Sequence, residues 1–171
     1  GVTSPDQARR LFAFGVEKVV INSAADRTPR LVGEIAAAAG SSSVVASIDA
    51  RRNWRGQYSV WVEGGRKNTG RDPVAWAREL EREGAGEILL TSINRDGTQS
   101  GYDLELVRRV SEAVDIPVVA AGGAGSLAHM REAVDCGASA VAAGSIFVFH
   151  GRHRAVLITY PERSDLERAF A

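Results

Sequence analysis

The sequence has a single cysteine, Cys136, and therefore no internal disulfide. That is the usage of a reducing compartment, and a cytoplasmic location is expected. Neither sign of charge is in excess, with 21 Lys+Arg against 21 Asp+Glu. A neutral balance offers no basic footprint for nucleic acid. No apolar run reaches the ~18 residues of a membrane span, and the opening GVTSPDQARR is not a secretory signal. Aromatic residues are sparse, and the three histidines, His129, His150 and His153, form no ligand constellation. His129 reads as a helix-surface residue, and His150 and His153 as tail residues. What the chain does have is 44% hydrophobic residues over 171 positions, enough for one core, and 18 glycines that imply many tight turns.

Helix and strand signals alternate along the chain. Thr3 and Ser4 are candidate N-caps, Pro5 suits a first helical position, and Asp6 suits the positive helix end. That helix carries Leu11, Phe12 and Phe14 and stops at Gly15. Further helices are expected from Pro29 to Gly40, Pro73 to Gly84, from Asp103, and from Ser126 to Cys136-Gly137. Between them KVVIN (18–22), VVASID (44–49), EILLTS (87–92), PVVAA (117–121) and AVAA (140–143) read as strands. Residues 54–70 alternate and then turn, which predicts a hairpin excursion. A short helix is expected at the end of the chain.

Five strands joined through helices imply a parallel sheet with right-handed crossovers. GVEKVVINS, GAGEILLTS and GASAVAAGS repeat one pattern of glycine, strand and polar exit. Equivalent units point to α/β architecture of the (β/α)8 TIM-barrel type; an open doubly wound sheet is the runner-up. Such barrels run to about 250 residues. A single partial barrel over 1–171 is therefore expected, lacking about the first three strands, with a complete small α/β domain as the alternative.

Side chains two apart on a strand share a face. Lys18, Val20 and Asn22 are in phase, as are Val45, Ser47 and Asp49, and Glu87, Leu89 and Thr91. If that face lines the barrel, Asn22, Asp49 and Thr91 stand at the carboxyl ends of their strands, where barrel active sites lie. Asp49 is then the acid/base candidate; the bland reading is a turn aspartate. Lys18 and Glu87 stand at the other end, where two solvated strand starts are the plainer reading. Gly122-Gly123-Ala124-Gly125 follows one strand and Gly144-Ser145 the next. Backbone N–H groups at such turns suit phosphate. A second cradle is possible where Gly1 meets Asn22-Ser23, so a substrate with a phosphate at each end would fit.

INSAA, ASIDA, GRKNTG, GAGEILLTSINRDGTQSGYD, PVVAAGGAG and AAGSIF follow one another in that order. Together they resemble the cyclase-subunit family of imidazole glycerol phosphate synthase, one of the histidine-biosynthesis barrels, over nearly all of residues 1–149. The resemblance implies catalytic roles for Asp49 and, near the substrate, Asp96; a partner aspartate would belong to a first strand outside this sequence. It implies phosphate or substrate contacts for Gly1, Asn22, Ser23, Thr91, Gly97, Gly122, Gly123, Gly144 and Ser145. It makes Lys18 and Glu87 members of a charged gate admitting ammonia from a glutaminase subunit, as a heterodimer, with Glu17 near the docking face. The implied reaction is lyase-type and needs neither a metal nor an organic cofactor. Ammonia adds to a ribulosyl-phosphate aminoimidazole carboxamide ribotide; cleavage and ring closure give imidazole glycerol phosphate and the aminoimidazole carboxamide ribotide by-product.

Two features depart from the family. Asn94 stands where aspartate is usual, and VFHGRHRAVLITYP replaces the usual ending. That tail resembles paralogous subunits of surface-polysaccharide clusters, which use ammonia to form an acetamidino group on a nucleotide-linked sugar. A further alternative is a non-catalytic barrel that only docks a glutaminase.

Overall fold

The computed structural model describes residues 1–151 and 153–171. Its first helix, α1 (Pro5–Ala13), starts where the Ser4 hydroxyl accepts the Gln7 N–H, with proline in the first turn. It buries Ala8 and half-buries Phe12. Phe14 lies past the last turn and is 87% exposed, so it adds nothing to the core. Strand β1 (Val19–Ile21) leads into α2 (Ser23–Arg27), a short helix with no strong sequence signal, and then α3 (Arg30–Ala39). Strand β2 (Val44–Arg52) is the longest and continues into the antiparallel strands β3 (Tyr58–Val62) and β4 (Lys67–Asn68). These two strands are the expected hairpin excursion.

Three further helix and strand pairs follow in the expected order. Helix α4 (Pro73–Arg82) is capped by Asp72, whose carboxylate accepts the Val74 and Ala75 N–H groups. It precedes β5 (Glu87–Ser92), α5 (Leu104–Ser111), β6 (Val118–Ala121), α6 (Leu127–Asp135) and β7 (Ala140–Ala142). The tail holds α7 (Ser145–Val148), the antiparallel pair β8 (Phe149–His150) and β9 (Ala155–Val156), and α8 (Arg163–Phe170). Helix α8 returns to α6, where the Arg131 guanidinium donates to the Ala171 carbonyl at 2.9 Å.

The parallel strands lie in the order β1-β2-β5-β6-β7, which never reverses along the chain. Crossovers of one hand between successive neighbours put every helix on the same face. A doubly wound sheet needs a reversal of strand order to place helices on both faces. The architecture is therefore an open arc of a barrel, with β1 and β7 as the two outer parallel strands among those described.

The two faces of the arc differ sharply in burial. Val19, Ile21, Val44, Ala46, Ile48, Ala50, Ile88, Leu90, Val118 and Ala120 are buried beneath the helices. They pack with Leu31, Val32, Ile35, Trp76, Leu80, Leu106 and Val110 or with the smaller cluster around Met130. Each large aliphatic side chain contributes about 1.5–3 kcal/mol there. The opposite face carries Val20, Ser47, Asp49, Leu89, Thr91, Val119 and Ala121, half-buried or exposed, with Val45 buried at its start. Strand parity thus separates a sealed outer face from an accessible inner one.

Candidate active site

Register brings the polar side chains of the inner face together at the carboxyl ends of the strands. Asp49 on β2 lies directly beside Thr91 on β5, and Thr91 beside Ala121 on β6. Asn22, just past β1, donates from Nδ2 to Asp49 Oδ2 at 3.2 Å and to the Ser47 carbonyl at 3.2 Å. Burial raises the Asp49 carboxyl above its ordinary value; the Asn22 amide opposes this, the Asp96 charge adds to it, and Thr91 opposes it. A carboxyl moved toward neutral pH is better suited to giving and taking protons. Asp96 itself is exposed on the loop after β5, held by its N–H on the Ser92 carbonyl at 2.9 Å.

A cavity of about 170 Å³ opens beside this pair. Asp96, Gly97, Gly122, Gly123, Gly144 and Ser145 line it, together with alanines at the ends of β6 and β7. The loops after two adjacent strands and the loop after β5 thus converge on one small hollow of phosphate size. The glycines have different reasons to be there. Gly123 has φ +113°, and a Cβ on it would stand 2.2 Å from the Gly101 carbonyl oxygen, so packing requires glycine. Gly144 has φ −131° and open space where a Cβ would go. Nothing inside the protein requires glycine there; the bare backbone leaves room for a ligand.

At the second cradle expected from the sequence, the side chains of Asn22 and Ser23 are tied to neighbouring residues. Ser23 Oγ donates to Asn22 Oδ1 at 3.1 Å and accepts the Glu63 N–H at 2.9 Å. Asn22 and Ser23 therefore brace Asp49 and the hairpin. Among the described hydrogen bonds none joins Gly1 to either residue, and Gly1 is exposed.

At the opposite end of the sheet, Lys18 Nζ meets Glu87 Oε2 at 2.5 Å. The two side chains reach across the start of β2, whose Val45 is in register with both Val20 and Glu87. They are an ion pair on the inner face, not two separately solvated strand starts.

Several neighbours carry no strong sequence signal. Arg51 and Trp61 share Asp49's face, with Arg51's guanidinium carbon 4.2 Å from the Trp61 ring centroid. Tyr102 is buried and donates to the Ala142 carbonyl at 3.0 Å, beneath the cavity. Asn94 clamps the Arg52 backbone, accepting its N–H at 2.7 Å and donating to its carbonyl at 3.2 Å. Aspartate could accept the first bond but not donate the second, which explains the amide at this position. His129 is half-buried, not a plain surface residue, and its Nδ1 accepts the Gly125 N–H at 3.2 Å. Among the described residues no group of acidic, histidine or cysteine side chains could hold a metal ion, and no helix is long and apolar enough to cross a membrane.

Comparison with known proteins matches residues 1–154 to the family described as histidine biosynthesis protein. A Pseudomonas aeruginosa protein, provisionally named imidazole glycerol phosphate synthase subunit hisF2, is 48% identical over 98% of this chain and 67% of its own length. Imidazole glycerol phosphate synthase subunit HisF of Pyrobaculum aerophilum is 55% identical over 87% of the chain and 58% of its own length. A Leptospira borgpetersenii protein, with a provisional HisF name, is 41% identical over 99% of the chain and 68% of its own length. The chain therefore spans 58% to 68% of the length of these relatives.

Proposed function

We propose, from the premise that this chain belongs to the histidine biosynthesis protein family, that it carries the ammonia-using cyclase chemistry of imidazole glycerol phosphate synthase. The observation that carries the proposal is the adjacency of the raised Asp49 carboxyl, Thr91 and the Gly123–Gly144 cavity. One phosphate of a bisphosphorylated ribotide would sit against the bare backbone at Gly144 and Ser145. The reacting carbons would then lie over Thr91 and Asp49. Addition of ammonia to a carbonyl, cleavage and ring closure each move protons, and Asp49 is placed to exchange them. Asp96, exposed beside Gly97, borders the same space and holds Asp49's proton affinity up by its charge.

Ammonia would enter from the other end. The Lys18–Glu87 pair stands at that end of the inner face and would part, or be passed, when a glutaminase subunit docks there. Passage through the protein keeps ammonia unprotonated, whereas neutral water converts most of it to ammonium. A cytoplasmic complex with that subunit follows from this reading.

The tail favours a second reading. Arg154 donates to the Gly97 carbonyl at 3.2 Å, and Gln99 donates to the Ser145 carbonyl at 2.9 Å. The β8–β9 hairpin thereby braces the loop that lines the cavity, and a changed tail changes that rim. A paralogue that uses ammonia to amidinate a nucleotide-linked sugar would keep the same anion site and gate. Complementation separates the two. The complete gene product, expressed in a histidine auxotroph lacking its own cyclase subunit, is expected to restore growth without histidine. Soluble expression without growth, together with an amidinated nucleotide sugar detected by mass spectrometry, would favour the paralogous role.

A further inference from the structure

The cavity beside Asp49 is walled largely by backbone. Two segments press together to form it: the loop after β5, through Asp96 and Gly97, and the loop after β6, through Gly122 to Ala124. The Gly101 N–H donates to the Gly123 carbonyl at 2.8 Å and joins them. Their approach leaves no room for side chains. A Cβ on Gly123 would stand 2.2 Å from the Gly101 carbonyl oxygen, and one on Gly125 would stand 2.0 Å from the Gln99 carbonyl oxygen. A turn this rich in glycine has wide conformational freedom of its own, so its shape depends on what grips it from outside.

His129 provides that grip. It is the third residue of α6, and its own N–H is already capped by Ser126 Oγ at 3.2 Å. In a capping box the side chain at this position reaches back to the N–H of the capping residue. Here it reaches one residue further, and Nδ1 accepts the Gly125 N–H at 3.2 Å. The same ring fills the space beside Gly101, where a Cβ would meet it at 3.7 Å. One imidazole therefore borders both segments. Its bond turns the Ala124–Gly125 peptide toward the helix. The two N–H groups just before that peptide, those of buried Gly123 and Ala124, have no acceptor among the described hydrogen bonds. Successive free N–H groups beside a cavity are donors for an oxyanion. His129 does not line the cavity and acts on a ligand only through the turn.

We infer that His129 is a positioning residue of the anion site: by holding the Gly125 N–H, its Nδ1 sets the turn at 122–125 so that Gly123 and Ala124 present their N–H groups to an oxyanion of the substrate. The inference rests on the reading of the Gly123–Gly144 cavity as a phosphate site. It assigns the bond to ligand binding, since the helix start is capped by Ser126 without it.

The test is an amide NMR titration of the full chain with inorganic phosphate, read at Gly123, Ala124 and Ser145. The parent is expected to shift these amides on binding, and Gly144→Ala to weaken that binding. His129→Leu keeps the bulk without the acceptor. It is expected to weaken phosphate about fivefold or more, the scale of one lost hydrogen bond, and to move the Gly125 amide resonance upfield. His129→Asn places Oδ1 where Nδ1 stood. It is expected to bind within about twofold of the parent, a rescue that a packing role would not give. His129→Gln carries its oxygen one bond farther out and is expected to follow the leucine variant; it takes that variant's place in the comparison if leucine does not fold. Folded His129→Leu with the parent's affinity overturns the inference and leaves the cavity reading standing. His129→Asn as weak as His129→Leu does the same. A parent whose amides at the cavity do not respond to phosphate overturns both.

Discussion

Replacing Tyr102 with phenylalanine removes one oxygen and tests how the floor of the cavity is held. The side chain is 4% exposed and its hydroxyl donates to the Ala142 carbonyl at 3.0 Å. Ala142 ends β7 and lines the cavity, so the bond ties the loop between β5 and α5 to the wall of the anion site. Burial pushes the phenol up to about 12, so it stays a protonated donor throughout the neutral range. The ring and its packing survive the substitution, leaving a lost neutral hydrogen bond and a carbonyl short of one partner. That costs about 1.5 kcal/mol, and for a domain of this size lowers Tm by about 3–6 °C. The pH dependence gives an independent check. A phenol raised in the folded state stabilises fully below the unfolded value near 10, and that stability is lost as pH rises from 10 through about 12. Tyr58 is also raised, by burial and its bond to Asp103, but it is common to both proteins, so their difference isolates Tyr102. Calorimetric melts of parent and variant from pH 7 to pH 11 measure both effects. A variant with the parent's Tm at pH 7 and the parent's alkaline slope would refute the reasoning.

Other substitutions probe the remaining parts of the site. Because burial raises Asp49, its charge costs stability at neutral pH, and that cost disappears as pH falls through the raised value toward 3.8. Asp49→Asn should therefore melt no lower than the parent at pH 7, with the parent gaining on it in acid; a variant several degrees less stable at pH 7 would contradict the assigned strain. Gly123→Ala forces a Cβ to within 2.2 Å of a backbone oxygen and should cost several kcal/mol, at least ~3. Gly144→Ala meets open space and should change stability by less than about 0.5 kcal/mol while weakening phosphate binding. Equal melting temperatures for the two glycine variants would remove the distinction drawn between them. Lys18 and Glu87 are 47% and 21% exposed, so Lys18→Met should cost no more than about 1 kcal/mol; a larger loss in denaturant unfolding would make the pair a structural element instead of a gate.

The parallel core was legible because its signals are local. Pro5, Pro73 and the capping Ser4, Asp103 and Ser126 mark helix starts by chemistry that acts within one turn. Alternation on the strands at 44–49 and 87–92 put Asp49 and Thr91 on one face, and the register then made them neighbours. What the sequence left open depends on contacts distant along the chain. The side-chain partners of Asn22 and Ser23, namely Ser47, Asp49 and Glu63, lie 25 to 40 residues away. The stack of Arg51 on Trp61 required the register of β2 with β3, and the clamp of Asn94 on Arg52 required β2 to run past Asp49. His129 looked like a surface residue because its cap on Gly125 turns on the loop's path, not on helix periodicity. The tail gave no periodic signal, since β8 and β9 have two residues each.

The most direct test of the central claim is ammonia-dependent turnover of the ribulosyl-phosphate ribotide by the complete gene product, comparing the parent with Asp49→Asn. The parent is expected to give imidazole glycerol phosphate, and the variant's turnover to fall by at least about 100-fold with phosphate still bound at the Gly144 cavity. Turnover in the variant equal to the parent's would contradict it and remove Asp49 from the chemistry.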